Sequence, residues 1–292
     1  MRSMKSCVSR RWFMVPALSF IASFASAQSV DKAMSALKSG EWQSAIEIAG
    51  AVKADSPEFA RAQYICGEAH LVLGDAQRSE ENFRAVLAKN ANATPALIGL
   101  GRALRLGDKL TESEETLQKA LKLDAKDAFA LLALGQTHLA MKKTKEAKAE
   151  LGGAYTLDPK NPEIVRGWCE WLFAENDNAK ALEVAQALSK SAPKHPLGPF
   201  LEALALERDG KDKKAIEAYE EALKRDANFL DAHKNLAILC HTRNPTYQDA
   251  ERTAKSLAHY ERYFALGGKD DELKQTYLQF KGFYEEYFKP KK

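Results

Sequence analysis

The chain is poor in the features that build disulfide-stapled, sheet-rich or metal-centred proteins. It has four cysteines in 292 residues, Cys7, Cys66, Cys169 and Cys240. They form no CxxC pair, and no H-E-x-x-H or G-x-S-x-G occurs, so zinc-ribbon, zincin and α/β-hydrolase chemistry find no signature. Runs of β-branched residues and alternating apolar–polar stretches are scarce, which argues against strands. Charge of one sign is lacking too: 43 Lys and Arg stand against 40 Asp and Glu. A phosphate-binding surface needs a clustered basic patch, and no helical segment supplies one, so nucleic acid is not an expected partner. The apolar stretch from Trp12 to Phe24, 13 residues long, is too short to span a bilayer comfortably.

What the chain has instead is a copy of itself every 34 residues. Ala33, Gly67, Gly101, Gly135, Cys169, Ala203 and Ala237 form one column of small residues. Ala45, Ser79, Ser113, Ala147, Ala181 and Ala215 form a second. A third reads Pro57, Ala91, Ala125, Pro159, Pro193 and Ala227, and large apolar residues such as Phe83, Leu117, Leu151 and Tyr219 lie between. Each period holds two apolar stretches of helical spacing joined by a short polar turn. Small residues recur where two helices must approach closely. One such pair cannot bury its own apolar face, so neighbours must stack.

The fourth period, with Leu131, Leu134-Gly135, Ala147, Leu151, Ala154 and Asp158-Pro159, resembles the tetratricopeptide repeat family. The sixth adds Ala203, Gly210, Ala215, Tyr219 and Ala222. The resemblance implies an all-α, right-handed superhelical solenoid of stacked antiparallel helix pairs. About seven repeats and a C-terminal capping helix are expected. Ala49 stands where a bulky residue is usual, and Glu202 where Leu is usual, so local packing departs from the pattern there.

The expected organisation is a signal peptide over residues 1–27, repeats over 28–268, and a cap with a basic tail over 269–292. The first segment has a basic head of Arg2, Lys5, Arg10 and Arg11, the apolar stretch, and then Ala25-Ser26-Ala27. Ser9 to Met14 resembles the twin-arginine export motif without its usual lysine, and a general secretion signal is the alternative. Either route leads to a bacterial periplasm. Beyond residue 27 the chain carries 39 basic and 40 acidic residues, and no transmembrane segment is expected there. The seventh period breaks register: Ser256, Tyr260 and Tyr263 fall about seven residues late, with Asn244 to Asp249 in an enlarged connection. Leu273, Tyr277, Phe280, Tyr284 and Tyr287 then repeat at helical spacing, as a cap over the last pair requires.

No catalytic constellation emerges. Gly99-Leu100-Gly101 follows no strand and binds no nucleotide. His70 and His138 occupy a packing column, Glu80 and Glu81 read as a solvated pair, and the cysteines beyond residue 27 read as reduced, buried thiols. No metal, cofactor or enzymatic activity is expected. The family resemblance places the first helix of each repeat along a concave groove. The residues it assigns to partner binding are Arg61, Tyr64, Glu68, Ile98, Arg102, Phe129, Leu132, Gln136, Arg166, Glu170, Phe200 and Lys234. Aromatic and Arg anchors are what binding hot spots are made of. Two readings follow: a non-enzymatic scaffold of the cell envelope that binds segments of other proteins, or an accessory subunit that tethers or activates an envelope enzyme complex in cell-wall, pilus or outer-membrane assembly.

Overall fold

The computed structural model describes residues 15–242 and 250–288. All regular elements among them are helices. In chain order they are α1 (Val15–Lys38), α2 (Trp42–Gly50), α3 (Phe59–Val72), α4 (Ala76–Lys89), α5 (Thr94–Leu106), α6 (Leu110–Leu123), α7 (Ala128–Ala140) and α8 (Thr144–Leu157). There follow α9 (Pro162–Ala174), α10 (Asn178–Ser191), α11 (Leu197–Arg208), α12 (Asp212–Arg225), α13 (Leu230–Thr242), α14 (Ala250–Ala265) and α15 (Asp271–Tyr287). The chain divides into two compact units, residues 1–150 and 151–292, with the boundary inside α8. The junction expected after Ala27 falls within α1. Asn244 to Asp249 lies outside the described residues.

The small-residue columns are where helices touch. Ala45, Ser79, Ser113, Ala147, Ala181 and Ala215 are each fully buried. In unit 1 the contact is close enough to exclude even a methyl group. A Cβ built on Gly67 would stand 2.9 Å from the Phe83 ring, and one on Gly99 2.4 Å from the same ring. The ring is thus seated on glycines from two successive repeats. A Cβ on Gly101 would reach Leu117 at 2.5 Å. Two hydroxyls fix the same approach: Ser79 Oγ donates to the Gly67 carbonyl at 2.9 Å, and Ser113 Oγ to that of Gly101 at 2.7 Å.

The register break is visible in the same bond. Ser256 Oγ donates to the Ala237 carbonyl at 2.8 Å, over 19 residues where the earlier pairs span 12. Ser256 is fully buried, and Tyr260 and Tyr263 are nearly so. The seventh pair therefore repeats the contact of the second and third with seven residues added to its connection. A longer surface loop costs little.

A turn column runs through the first six repeats. Gly40, Gly74, Asp108, Lys142, Asn176 and Gly210 all have φ between 59° and 79°. At each, the next N–H bonds back to a carbonyl five residues earlier, from Glu41 to Ala36 (2.9 Å) through Lys211 to Leu206 (2.9 Å). This is the left-handed closure that satisfies the last carbonyls of a helix. Glycine adopts it freely, Asn and Asp tolerate it, and Lys142 is held there by the turn on either side.

In unit 2, α15 lays Phe280, which is buried, and the half-buried Leu273, Tyr277 and Tyr284 against Ala237, Leu257 and Tyr260. Tyr287 points away and is 64% exposed. Asp270 caps α15 by accepting from the Leu273 N–H at 2.9 Å.

Candidate partner-binding faces

The twelve candidate residues all lie on first helices, eight in unit 1 and four in unit 2. In unit 1 the α3 contribution is Arg61, Tyr64 and Glu68. Arg61 is exposed and meets Asp31 of α1 at 2.7 Å. Tyr64 is half-buried and packs edge-on to Phe83 with ring centroids 5.8 Å apart. Burial, with the Glu68 carboxylate beside it, pushes its phenol up to about 12. Glu68 accepts from Arg102 of α5 at 3.3 Å, exactly one period away in sequence. Gln136 of α7 accepts from Arg105 at 3.2 Å.

The aliphatic and aromatic candidates of unit 1 divide sharply. Ile98 and Leu132 are buried, so they belong to the packing between helices and not to an open surface. Phe129, at the start of α7, is 43% exposed. Its neighbour Asp127 caps the helix by accepting from the Phe129 and Ala130 N–H groups at 2.9 Å each. That cap fixes the first turn and so the position from which the ring projects.

Unit 2 treats the equivalent positions differently. Glu170 is exposed. Phe200 is 5% exposed, against the expectation that it faces a partner. It packs on Phe229 at 5.2 Å and Tyr219 at 5.8 Å between ring centroids. Arg166 lies over its ring at 5.9 Å and also donates to Asp231 at 3.2 Å, two repeats further on. Phe200 is therefore a core residue roofed by an ion pair. Lys234 donates to Asp270 at 2.8 Å and sits over the Tyr263 ring at 5.9 Å. The Asp270 hydrogen bond holds the lysine's pKa above its ordinary value.

Sequence columns missed the partners Asp31, Arg105 and Asp270. The available signal was opposite charge, or charge and amide, about one period apart: Asp31–Arg61, Arg105–Gln136 and Lys234–Asp270. Glu80 was also misread as solvated. Its carboxylate accepts from Arg84 at 2.8 Å and Lys109 at 2.9 Å; burial is the largest single effect and raises its pKa, but the hydrogen bonds and charges of Lys109 and Arg84 together outweigh it and hold the pKa down.

His138 is buried with Nδ1 2.8 Å from Glu150 and Nε2 3.2 Å from Glu114. Burial pushes the thiols of Cys66 and Cys169 up, to about 11 and about 12, which keeps them protonated and unreactive. Among the described residues no group of three or more His, Cys, Asp or Glu could hold a metal ion. No described helix is long and apolar enough to cross a membrane.

Two family models, both described as tetratricopeptide repeat, match this chain. One covers residues 30–93, 67–128, 172–228 and 200–259, and the other residues 138–198. Among solved structures, the chain is similar to a thermophilic repeat protein of Thermus thermophilus, with 19% identity, a TM-score of 0.57, and coverage of 62% of this chain and 99% of that one. A repeat protein of Parabacteroides merdae gives 12% identity and a TM-score of 0.63 over 87% of this chain and 98% of that one. The Cut9–Hcn1 heterotetramer of the APC/C gives 16% identity and a TM-score of 0.63 over 85% of this chain and 48% of that one. At these identities the likeness concerns the fold. No curated protein matches the chain.

Proposed function

Because the chain belongs to the tetratricopeptide repeat family, whose repeats generally serve as non-catalytic scaffolds for other proteins, we propose that it captures a partner segment on the first-helix face of unit 1. The observation that carries this reading is the exposure of Phe129, 43%, where the neighbouring apolar candidates Ile98 and Leu132 are buried. Phe129 is the aromatic among the exposed large apolar residues described in unit 1, and aromatic side chains are enriched among interface anchors. Arg61, Tyr64, Glu68, Arg102 and Gln136 supply charge and hydrogen bonding on the same set of helices. The partner segment is an extended or helical peptide with an apolar side chain for Phe129. In unit 2, Arg166 and Lys234 are engaged by Asp231 and Asp270, as Arg61 and Glu68 are by Asp31 and Arg102 in unit 1.

The protein works outside the cytoplasm, as a scaffold of the cell envelope. The basic head, the short apolar stretch and Ala25-Ser26-Ala27 support cleavage before Gln28. Mass spectrometry of the exported protein is expected to find Gln28 at the N-terminus, and an intact Met1 would contradict export by cleavage. For binding, Phe129→Ala is expected to keep its helical circular dichroism and its denaturation midpoint while losing partners from an envelope pull-down. Unchanged capture by a folded Phe129→Ala protein would move the binding site elsewhere.

A further inference from the structure

The last helix pair holds an unusual contact between two imidazoles. His233 on α13 and His259 on α14 approach through their Nδ1 atoms at 2.9 Å, with ring centroids 5.1 Å apart. The proton positions follow from the third partner. His233 Nε2 lies 3.1 Å from the Ala227 carbonyl, which can only accept, so this nitrogen carries its hydrogen. In the neutral ring Nδ1 is then an acceptor, and His259 Nδ1 must donate to it. One proton fills the gap, and the contact is made only by two neutral rings or by a cationic His259.

The surroundings oppose that cation. The groups facing His259 are His233 on α13, Lys255 on its own helix and Glu220 on α12, and Glu220 is engaged by Lys255. Those facing His233 are His259, Arg262 of α14 and Asp226 of the preceding turn, which oppose each other in sign. Among the described residues no carboxylate is hydrogen-bonded to either ring. A proton on His233 Nδ1 would set two N–H groups against each other at 2.9 Å. A second histidine of α13 extends the connection: His241 stacks on Phe280 of α15 with centroids 4.3 Å apart, and its Nδ1 lies 3.4 Å from the Tyr260 hydroxyl of α14.

We propose that the His233–His259 contact is an acid-sensitive latch whose protonation frees α14 and α15 from α13 and uncovers the aromatic residues they lay on it, Tyr260 of α14 and Phe280 of α15. Burial holds all three histidines below their ordinary pKa, and His259 is pushed down to about 4. The sign is therefore fixed. The opened state takes up protons that the closed state refuses, so closure is fully present above the ordinary value of 6.5 and is lost as pH falls from there towards 4. By pH 5 the open population is expected to rise on the order of tenfold over its value at pH 7.5.

Hydrogen exchange on the full chain, corrected for intrinsic rates, tests this at pH 7.5 and pH 5. Peptides from α14 and α15 are expected to lose protection on the order of tenfold at the lower pH, while those from α5, which carries no histidine, keep theirs. His259→Asn places an amide N–H where Nδ1–H donates and does not titrate, so it is expected to abolish most of that loss. Unchanged protection in the parent, or an undiminished loss in His259→Asn, overturns the latch. If His259→Asn is already open at pH 7.5, the His259 ring in the parent is followed by NMR. Titration well below 6.5 sustains the latch, and titration at 6.5 overturns it.

Discussion

Phe129 and Phe200 stand at nearby positions of first helices two repeats apart, and the two units put them to opposite uses. In unit 1 the ring at position 129 is left in water, 43% exposed. In unit 2 Phe200 is 5% exposed, wedged between Tyr219 and Phe229 with Arg166 across its face. The difference lies in the neighbours. Unit 1 packs its helices through glycines, and Phe83 takes the space between Gly67 and Gly99. Unit 2 packs aromatic on aromatic, as at Trp168 and Trp171, whose rings stack 4.9 Å apart. A position in a repeat fixes which way a side chain leaves its helix. What lies over that side chain is decided by residues one and two repeats away.

The largest expected effect follows directly. Phe200→Ala should cost about 3–5 kcal/mol, the range for truncating a buried aromatic. Phe129→Ala should change stability by no more than about 0.5 kcal/mol. Denaturant midpoints of the two variants measure this, and comparable losses would erase the distinction between the units. Next comes the close packing of unit 1. Gly101→Leu must displace Leu117, at about 1–3 kcal/mol or more. Gly282→Ala in α15 meets nothing within 4 Å and should instead stabilise by about 0.5–1 kcal/mol.

Smaller effects test the turns that both units share. Gly74 has φ of 79° and open space beyond its Cα, so Gly74→Ala should cost about 1 kcal/mol from backbone conformation alone. Lys142, at φ of 60°, is strained by the same conformation, and Lys142→Gly should be neutral or stabilising by up to about 1 kcal/mol. Thermal melts of the pair should move in opposite directions or leave Lys142→Gly unmoved. The smallest expected change is Asp231→Asn. The Arg166–Asp231 pair is more than a third exposed on both sides, so its loss should cost about 0–1 kcal/mol and less at high salt. A larger loss would mean that the pair, and not the aromatic packing, holds Phe200 in place.

The repeat itself was legible in sequence because small residues at fixed spacing have one cause, the close approach of two helices. Even the late register of Ser256 and Tyr260 could be read, since their columns resume intact after the insertion. The turn column was half legible: Gly40, Gly74 and Gly210 announce positive φ, whereas nothing in Lys142 does. Its conformation comes from the turn that encloses it. The candidate site was least legible. Burial of Phe200 rests on Tyr219 and Phe229, and Arg166 across its face reaches an Asp231 that lies 65 residues on, a contact with no local signature. Ile98 and Leu132 sit in columns that elsewhere hold Tyr64 or Arg166, so a groove column mixes packing with surface.

The proposal that unit 1 offers the partner its open aromatic is tested most directly by photo-crosslinking in the intact cell. A benzophenone amino acid is placed at position 129 in one protein and at position 200 in another. A discrete adduct with a second protein is expected from position 129, with position 200 yielding only internal crosslinks. Adducts from position 200 and none from position 129, with both proteins folded and exported alike, would contradict the assignment of the binding face.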